Sequence, residues 1–352
     1  MLFPMANTPL LDWTLEKLAK NKVKKTILAV NYMADAFINR YGKKAYGMKM
    51  LYSRDIRPIY SENLQPFQKL GTGGSIKKAE KLIRYEEPFF VSNGDILTNI
   101  NYAEFVKRHK ASGAIATIAL YEVKDPSRYG VVELTNKSRI VRFVEKPTQE
   151  EAPSSLVNAG VYALDPQIFD YIAGGRPVSI EHEIFPKLAE EGKLQGYNFQ
   201  GYWTDIGEPS EYLKANQLLL DIEIKQEKLS KNVALECETE VYKPCIVGEN
   251  VTIGNKSKIG PYAAIGEDVT LGKEVQIENS IIFPRTNISD STSIKGAIVG
   301  EASIIGRWAK VESGCIVGDH AIIHDNVTLT KGVSVCPFRD VTESVLTPKC
   351  LM

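Results

Sequence analysis

Apolar residues follow two unlike patterns along the chain. Up to about residue 222, short apolar runs alternate with stretches of helical period, and beyond about 231 an aliphatic residue returns every six positions. In the first part, Asn7 or Thr8 is placed to cap a helix with Pro9 in its first turn and Leu11, Leu15 and Leu18 on one face. A buried strand over 26–30, a helix over 34–40, a strand over 48–52 and a proline-containing loop over 57–69 follow, and then a helix over 76–82. Phe89-Phe90-Val91 reads as a buried strand that breaks into Ser92-Asn93-Gly94-Asp95. Helix 102–110 and strand 114–121 complete a βαβα rhythm, which predicts a largely parallel sheet covered by helices.

Past Pro126 the pattern shortens to strands over 130–134, 140–144 and 157–164. Strand-dense insertions of this kind can form a lid or wall that gives a nucleotide fold its second substrate pocket. Helices over 180–191 and 209–221 close this part, and the charged stretch 223–231 reads as a linker or the tail of the last helix. The domain boundary is placed near residue 230, giving domains 1–230 and 231–352.

In the second domain Val247, Ile253, Ile259, Ile265, Leu271, Ile277 and Phe283 are six apart, with glycine following at 248, 254, 260, 266 and 272. A second run, Val299, Ile305, Val311, Val317, Ile323, Leu329 and Val335, is offset by a slip around 284–296. One inward aliphatic residue per six describes a parallel β-helix in which each repeat forms one short face of a coil. The pattern resembles the hexapeptide repeat of left-handed β-helices.

Composition narrows the function classes. The 352 residues carry 43 basic and 43 acidic side chains, so nothing marks a nucleic-acid or membrane surface. Five cysteines, Cys237, Cys245, Cys315, Cys336 and Cys350, lack CxxC spacing and are odd in number, which fits a reducing cytoplasm better than a disulfide framework or a zinc site. No membrane span or signal peptide is expected from the apolar runs.

Strand ends are where open α/β sheets hold ligands, which makes Asp95 a candidate metal ligand; capping of its own turn is the alternative. A second carboxylate, in Trp203-Thr204-Asp205-Ile206-Gly207, could share one Mg²⁺ with it and leave sites for phosphate oxygens. Leu70-Gly71-Thr72-Gly73-Gly74-Ser75 precedes a helix and lets a ligand approach its amides, although glycine-rich turns are often only turns. Lys146 could hold a phosphate, and Glu145 and Asn158 could bond hydroxyls; a solvated Glu145-Lys146 pair is the plain alternative.

Together and in order, Leu70-Gly71-Thr72-Gly73-Gly74, Asn93-Gly94-Asp95, Tyr129-Gly130-Val131-Val132, Phe143-Val144-Glu145-Lys146-Pro147, Asn158-Ala159-Gly160, Ser179-Ile180-Glu181-His182-Glu183-Ile184-Phe185-Pro186 and Trp203-Thr204-Asp205-Ile206-Gly207 resemble the sugar-1-phosphate nucleotidyltransferases. The branch most similar is the mannose-1-phosphate guanylyltransferases. The resemblance implies a Rossmann-like nucleotidyltransferase domain ahead of the left-handed β-helix. It also implies attack of a sugar 1-phosphate on the α-phosphorus of an NTP, most simply GTP with mannose 1-phosphate. It would make Asp95, Lys146 and Asp205 catalytic, with Asp95 and Asp205 binding Mg²⁺. Gly71, Thr72, Gly73, Gly74 and Asn93 would face the nucleotide, and Gly130, Glu145, Lys146, Asn158 and Gly160 the sugar phosphate. A homo-oligomer, or a hetero-oligomer, is the expected assembly.

One departure stands out. The family opens with a strand and a Gly-x-Gly-Thr-Arg-Leu-x-Pro loop, whereas no glycine occurs here before Gly42. The expectation is that the natural product is longer upstream. Lys69 directly before Leu70 also departs from the family's acidic-x-Pro approach. Two alternative functions are a catalytically silent regulatory subunit and a thymidylyl- or uridylyltransferase for glucose 1-phosphate. A third is acyl transfer on the β-helix, for which His320 and His324 are the candidate bases.

Overall fold

The computed structural model describes residues 1–31, 33–54, 70–83 and 87–352. They form two compact units, Trp13–Trp203 and, together, Met1–Asp12 with Thr204–Met352. The loop expected over 57–69 lies outside the described residues.

Among the described residues of Trp13–Trp203, the two largest sheets have six and three strands. In the larger, the strand order is Ile140–Glu145, Gly130–Leu134, Leu156–Leu164, Ala116–Glu122 and Leu194–Asn198, and Phe89–Ser92 also pairs with Leu156–Leu164. Only Ala116–Glu122 and Leu194–Asn198 pair in parallel; the other pairs are antiparallel, which corrects the expected largely parallel sheet. The connections explain it. A parallel pair needs a crossover of a dozen or more residues, usually helical, and no helix intervenes between Glu122 and Leu156. Phe89–Ser92 and Ala116–Glu122, joined through helix Tyr102–Ser112, do run the same way, but Leu156–Leu164 lies between them. The smaller sheet pairs Lys25–Val30 in parallel with Met48–Arg54, and Lys44–Ala45 antiparallel to the latter.

Packing follows the pattern of apolar positions. Ile118, Leu120, Tyr162, Leu164, Phe185 and Leu194 are fully or almost fully buried in one cluster. Asn101 caps helix Tyr102–Ser112 by accepting from Glu104 N, satisfying one of the free amides of the first turn. Two helical expectations change. The helix expected over 76–82 begins at Gly71 and ends at Ala79, followed by a single 3₁₀ turn, Glu80–Leu82. The helix expected over 180–191 opens as a π turn, Ile180–Ile184, before the α segment Phe185–Glu190.

In the other unit the repeat closes into a parallel β-helix of three sheets, with eight, seven and six strands. Val247, Ile253, Ile259 and Ile265 are wholly buried, as the six-residue spacing requires. Glycine follows the inward residue because coils stack closely: a Cβ on Gly254 would stand 2.5 Å from the carbonyl of Gly272. The slip is at the corners. Ile282, not Phe283, pairs with Ile265 and Val299, so the steps from Ile277 to Ile282 and from Ile294 to Val299 are five residues. Phe283 is half-buried, a correction to the expected inward position. Buried hydroxyls bridge the coils: Ser257, Thr292 and Ser303 donate to the carbonyls of Gly272, Gly306 and Gly318.

The stretch 223–231 is not a plain linker. Helix Pro209–Leu219 runs on through Leu220–Ile224, and Glu227–Leu229 is already a β-helix strand paired with Cys245–Val247. The chain start belongs to this unit too. Pro4–Met5 and Thr8–Pro9 form a hairpin whose turn residues, Ala6 and Asn7, both have positive φ. Ala6 N donates to Asn216 Oδ1 at 2.8 Å, Asn7 Nδ2 donates to Ile265 O at 2.6 Å, and the Tyr212 hydroxyl donates to Pro4 O. Asn7, expected at the cap of the first helix, is thus a turn residue tied to a coil, and that helix begins at Leu10.

Candidate active site

Within Trp13–Trp203, the strand ends and the segment 176–184 gather most of the residues that the motifs single out. The glycine-rich turn packs against Val178. A Cβ on Gly71, whose φ is +72°, would stand 2.5 Å from Val178 O, and one on Gly73 would stand 3.0 Å from Val178 Cγ1. Gly74 N already donates to Val178 O, and Val178 N to Leu70 O. Close helix-to-loop packing therefore accounts for Gly71 and Gly73 by itself. Thr72 is held by both ends of its hydroxyl: Ile180 N donates to Oγ1 at 3.0 Å, and Oγ1 donates to Glu181 Oε2 at 2.5 Å.

A second group forms where Leu156–Leu164 is bent. Asn158 Oδ1 accepts from Gly160 N at 2.9 Å, and Asn158 Nδ2 donates to the Tyr162 hydroxyl at 3.0 Å. Gly160, with φ +68°, interrupts the pairing register, and a Cβ there would meet Asn93 Nδ2 at 3.0 Å. Asn93 N in turn donates to Gly160 O. Asn93, Asn158 and Gly160 are thus brought together, and Asp95 stands exposed in the turn between Phe89–Ser92 and Ile96–Thr98.

Gly130 and Glu145 face each other across the hairpin. A Cβ on Gly130 would collide with the Phe143 ring at 2.5 Å and with Glu145 Oε2 at 2.6 Å, so only glycine leaves the carboxylate room. Glu145 Oε2 is buried and has no hydrogen-bond partner among the described residues. Burial first, and then the nearby Glu181 carboxylate, push the Glu145 carboxyl above its ordinary value of 4.5. Lys146, the next residue, is exposed and adopts φ +48°, a left-handed conformation uncommon for a side chain with a Cβ. Its amide donates to Tyr129 O.

Asp205 ends strand Trp203–Asp205 and belongs to the other compact unit. Among the described residues, no three His, Cys, Asp or Glu side chains converge as metal-holding groups do. The donor types of Asp95 and Asp205, ionisable carboxylates at strand ends, are the hard oxygens that Mg²⁺ takes. Of the histidines on the β-helix, His320 stacks on the Phe338 ring at 4.8 Å and His324 Nε2 lies 2.6 Å from Asp340 Oδ1 on the exposed surface.

Sequence reasoning passed over Glu181. It lies in a quoted motif, but its importance comes from three hydroxyls converging on it, from Thr72, Ser179 and Tyr162. The signal available beforehand was Ser179 entering a helix, which reads as an N-cap.

A profile of the nucleotidyl transferase family matches residues 1–222, and one of the GMPPB C-terminal domain matches residues 241–351. Along its whole length the chain is 36% identical to the mannose-1-phosphate guanyltransferase of Aspergillus oryzae, of which it covers 93%. It is 33% identical to the mannose-1-phosphate guanylyltransferase catalytic subunit beta of Danio rerio, again over 93% of that protein. Among solved structures, HddC from Yersinia pseudotuberculosis is 28% identical with a TM-score of 0.50, over 62% of this chain and 88% of HddC. A Bacillus anthracis protein described as a glucose-1-phosphate thymidylyltransferase shares the fold, with a TM-score of 0.54 at 22% identity over 63% of this chain and 87% of its own. Two profiles that together span nearly the whole chain, and relatives matched from end to end, place the chain in the nucleotidyl transferase family.

Proposed function

We propose that the protein transfers a guanylyl group from GTP to mannose 1-phosphate, giving GDP-mannose and pyrophosphate. The observation that carries this reading is the end-to-end similarity to mannose-1-phosphate guanyltransferases. In the reaction a phosphate oxygen of the sugar 1-phosphate forms a bond to the α-phosphorus, and the bond to the pyrophosphate leaving group breaks. Such a displacement needs alignment and charge neutralisation more than a protein nucleophile.

The residue roles proposed are those that the motif resemblance implies. The Lys146 ammonium, exposed at the strand end, neutralises the sugar phosphate. Glu145 Oε2, without a hydrogen-bond partner among the described residues, offers itself to a sugar hydroxyl, and Asn158 and the backbone at Gly130 and Gly160 complete that wall. Gly71, Thr72 and Asn93 take the nucleotide side, while Gly73 and Gly74, both buried, serve it by letting the turn pack closely on the segment around Val178. Asp95 and Asp205 are each proposed as a Mg²⁺ ligand; the ion when bound supplies positive charge against the triphosphate. The substrate chemistry is assigned to residues 1–230 and assembly into an oligomer to the β-helix of 231–352. Support for assembly comes from Ile304 and Ile322, register neighbours on one outer face, which remain 45% and 37% exposed. The relatives are named as transferases and one as a catalytic subunit, so the regulatory-subunit and glucose-phosphate alternatives are not carried further.

The test is pyrophosphate release from GTP plus mannose 1-phosphate with Mg²⁺, run beside UTP, dTTP and glucose 1-phosphate. Release confined to the guanosine and mannose pair is the expected result. Preference for another pair, or no release with any pair from folded protein, overturns the reading.

A further inference from the structure

The hydrogen bonds around Glu181 have a common direction. On one side, Gly160 N donates to Asn158, Asn158 donates to the Tyr162 hydroxyl, and that hydroxyl donates to Glu181 Oε1 at 3.4 Å. On the other side, Ile180 N donates to Thr72, and Thr72 donates to Glu181 Oε2 at 2.5 Å. Ser179 Oγ adds a third donor to Oε2 at 2.9 Å. Both chains end on the one Glu181 carboxyl group.

The two chains start from different places. One begins at Gly160 and Asn158, on the wall given above to the sugar, and the other reaches Thr72 in the glycine-rich turn given to the nucleotide. Tyr162 is 1% exposed, so its hydroxyl cannot exchange its partner for water. Glu181 also sits on a π turn, an irregularity that recurs at functional sites. Resting on the proposed function, we infer that Glu181 is a positioning residue that couples the two substrates: through Thr72 on one side and Tyr162 on the other, occupation of either subsite favours the geometry that binds the other. Coupling of this kind is reciprocal, so each substrate raises the affinity for the other by one common factor.

The experiment measures GTP affinity by calorimetry with and without saturating mannose 1-phosphate, and then the reverse titration. It uses wild type, Glu181→Gln, Thr72→Val and Tyr162→Phe, with circular dichroism confirming the fold of each. Wild type is expected to show a factor of about 10, a moderate coupling by the usual scale. In each variant the factor should fall to within about 2 of unity, with KM for both substrates raised more than kcat is lowered. Thr72→Ser, which keeps the hydroxyl, should restore the coupling. A Glu181→Gln protein with the wild-type coupling factor overturns the inference and leaves the proposed function standing, and so does a wild type that binds both substrates independently. A wild type that binds neither substrate removes both. If Glu181→Gln fails to fold, Thr72→Val and Tyr162→Phe decide on the same criterion.

Discussion

Replacing Gly71 by alanine tests the packing of the glycine-rich turn. At φ +72° an alanine carries the cost of the left-handed conformation, about 1–2 kcal/mol. Its Cβ would also stand 2.5 Å from Val178 O and 3.0 Å from Val178 C, both backbone atoms that cannot swing aside like a side chain. The turn must therefore move away from Val178. That move stretches two hydrogen bonds, Gly74 N to Val178 O at 3.2 Å and Val178 N to Leu70 O at 2.9 Å. At roughly 0.5–1.5 kcal/mol for each bond, the loss adds about 1–3 kcal/mol to the conformational cost. Gly113→Ala is the control, because Gly113 has φ +63° in the same unit and, among the described residues, nothing within 4 Å of an added Cβ. Urea unfolding followed by tryptophan fluorescence, with Trp13 and Trp203 in that unit, gives both values. The two variants should differ by about 1–3 kcal/mol, the packing contribution alone. A difference below about 0.5 kcal/mol, the usual scatter of surface changes, would show that the turn yields freely and that Val178 does not hold it in place.

Other outcomes follow from the site and the coil. Because Glu145 has its carboxyl raised by burial and then by Glu181, the native state holds its proton more tightly than the unfolded chain; the resulting stability is complete below the unfolded value and is lost as pH rises through the folded one. Thermal unfolding across pH 4–8 should accordingly show a decline in wild type that Glu145→Gln lacks. Ile282→Ala should cost about 2–5 kcal/mol, as for a buried aliphatic truncation, and Phe283→Ala clearly less; equal losses would reject the five-residue step at that corner. Asp95→Asn and Asp205→Asn should each lower guanylyl transfer by about 100-fold or more while leaving the unfolding midpoint within a few degrees, read by pyrophosphate release beside calorimetry. Retention of full activity by either variant removes that residue from the catalytic set.

The β-helix and the order of motifs were legible from the chain because they rest on local regularities. The aliphatic residue at every sixth position takes the same inward place on successive faces of the coil, so Val247, Ile253 and Ile259 repeat in sequence what they repeat in structure. The motif residues Asn93, Glu145, Asn158 and Gly160 were likewise visible singly, as polar or glycine positions beside β patterns.

Tertiary structure alone decided three things. The direction of the central sheet depends on where Leu156–Leu164 inserts, and no local pattern records that it enters between Phe89–Ser92 and Ala116–Glu122. Membership of the two units is likewise non-local: Met1–Asp12 joins Thr204–Met352 through bonds such as Asn7 to Ile265, across more than two hundred residues. Glu181 gains its place because Thr72 and Tyr162, 109 and 19 residues away, bring their hydroxyls to it. Periodicity reports which face of an element is buried, but a hydrogen-bond hub exists only once distant segments meet.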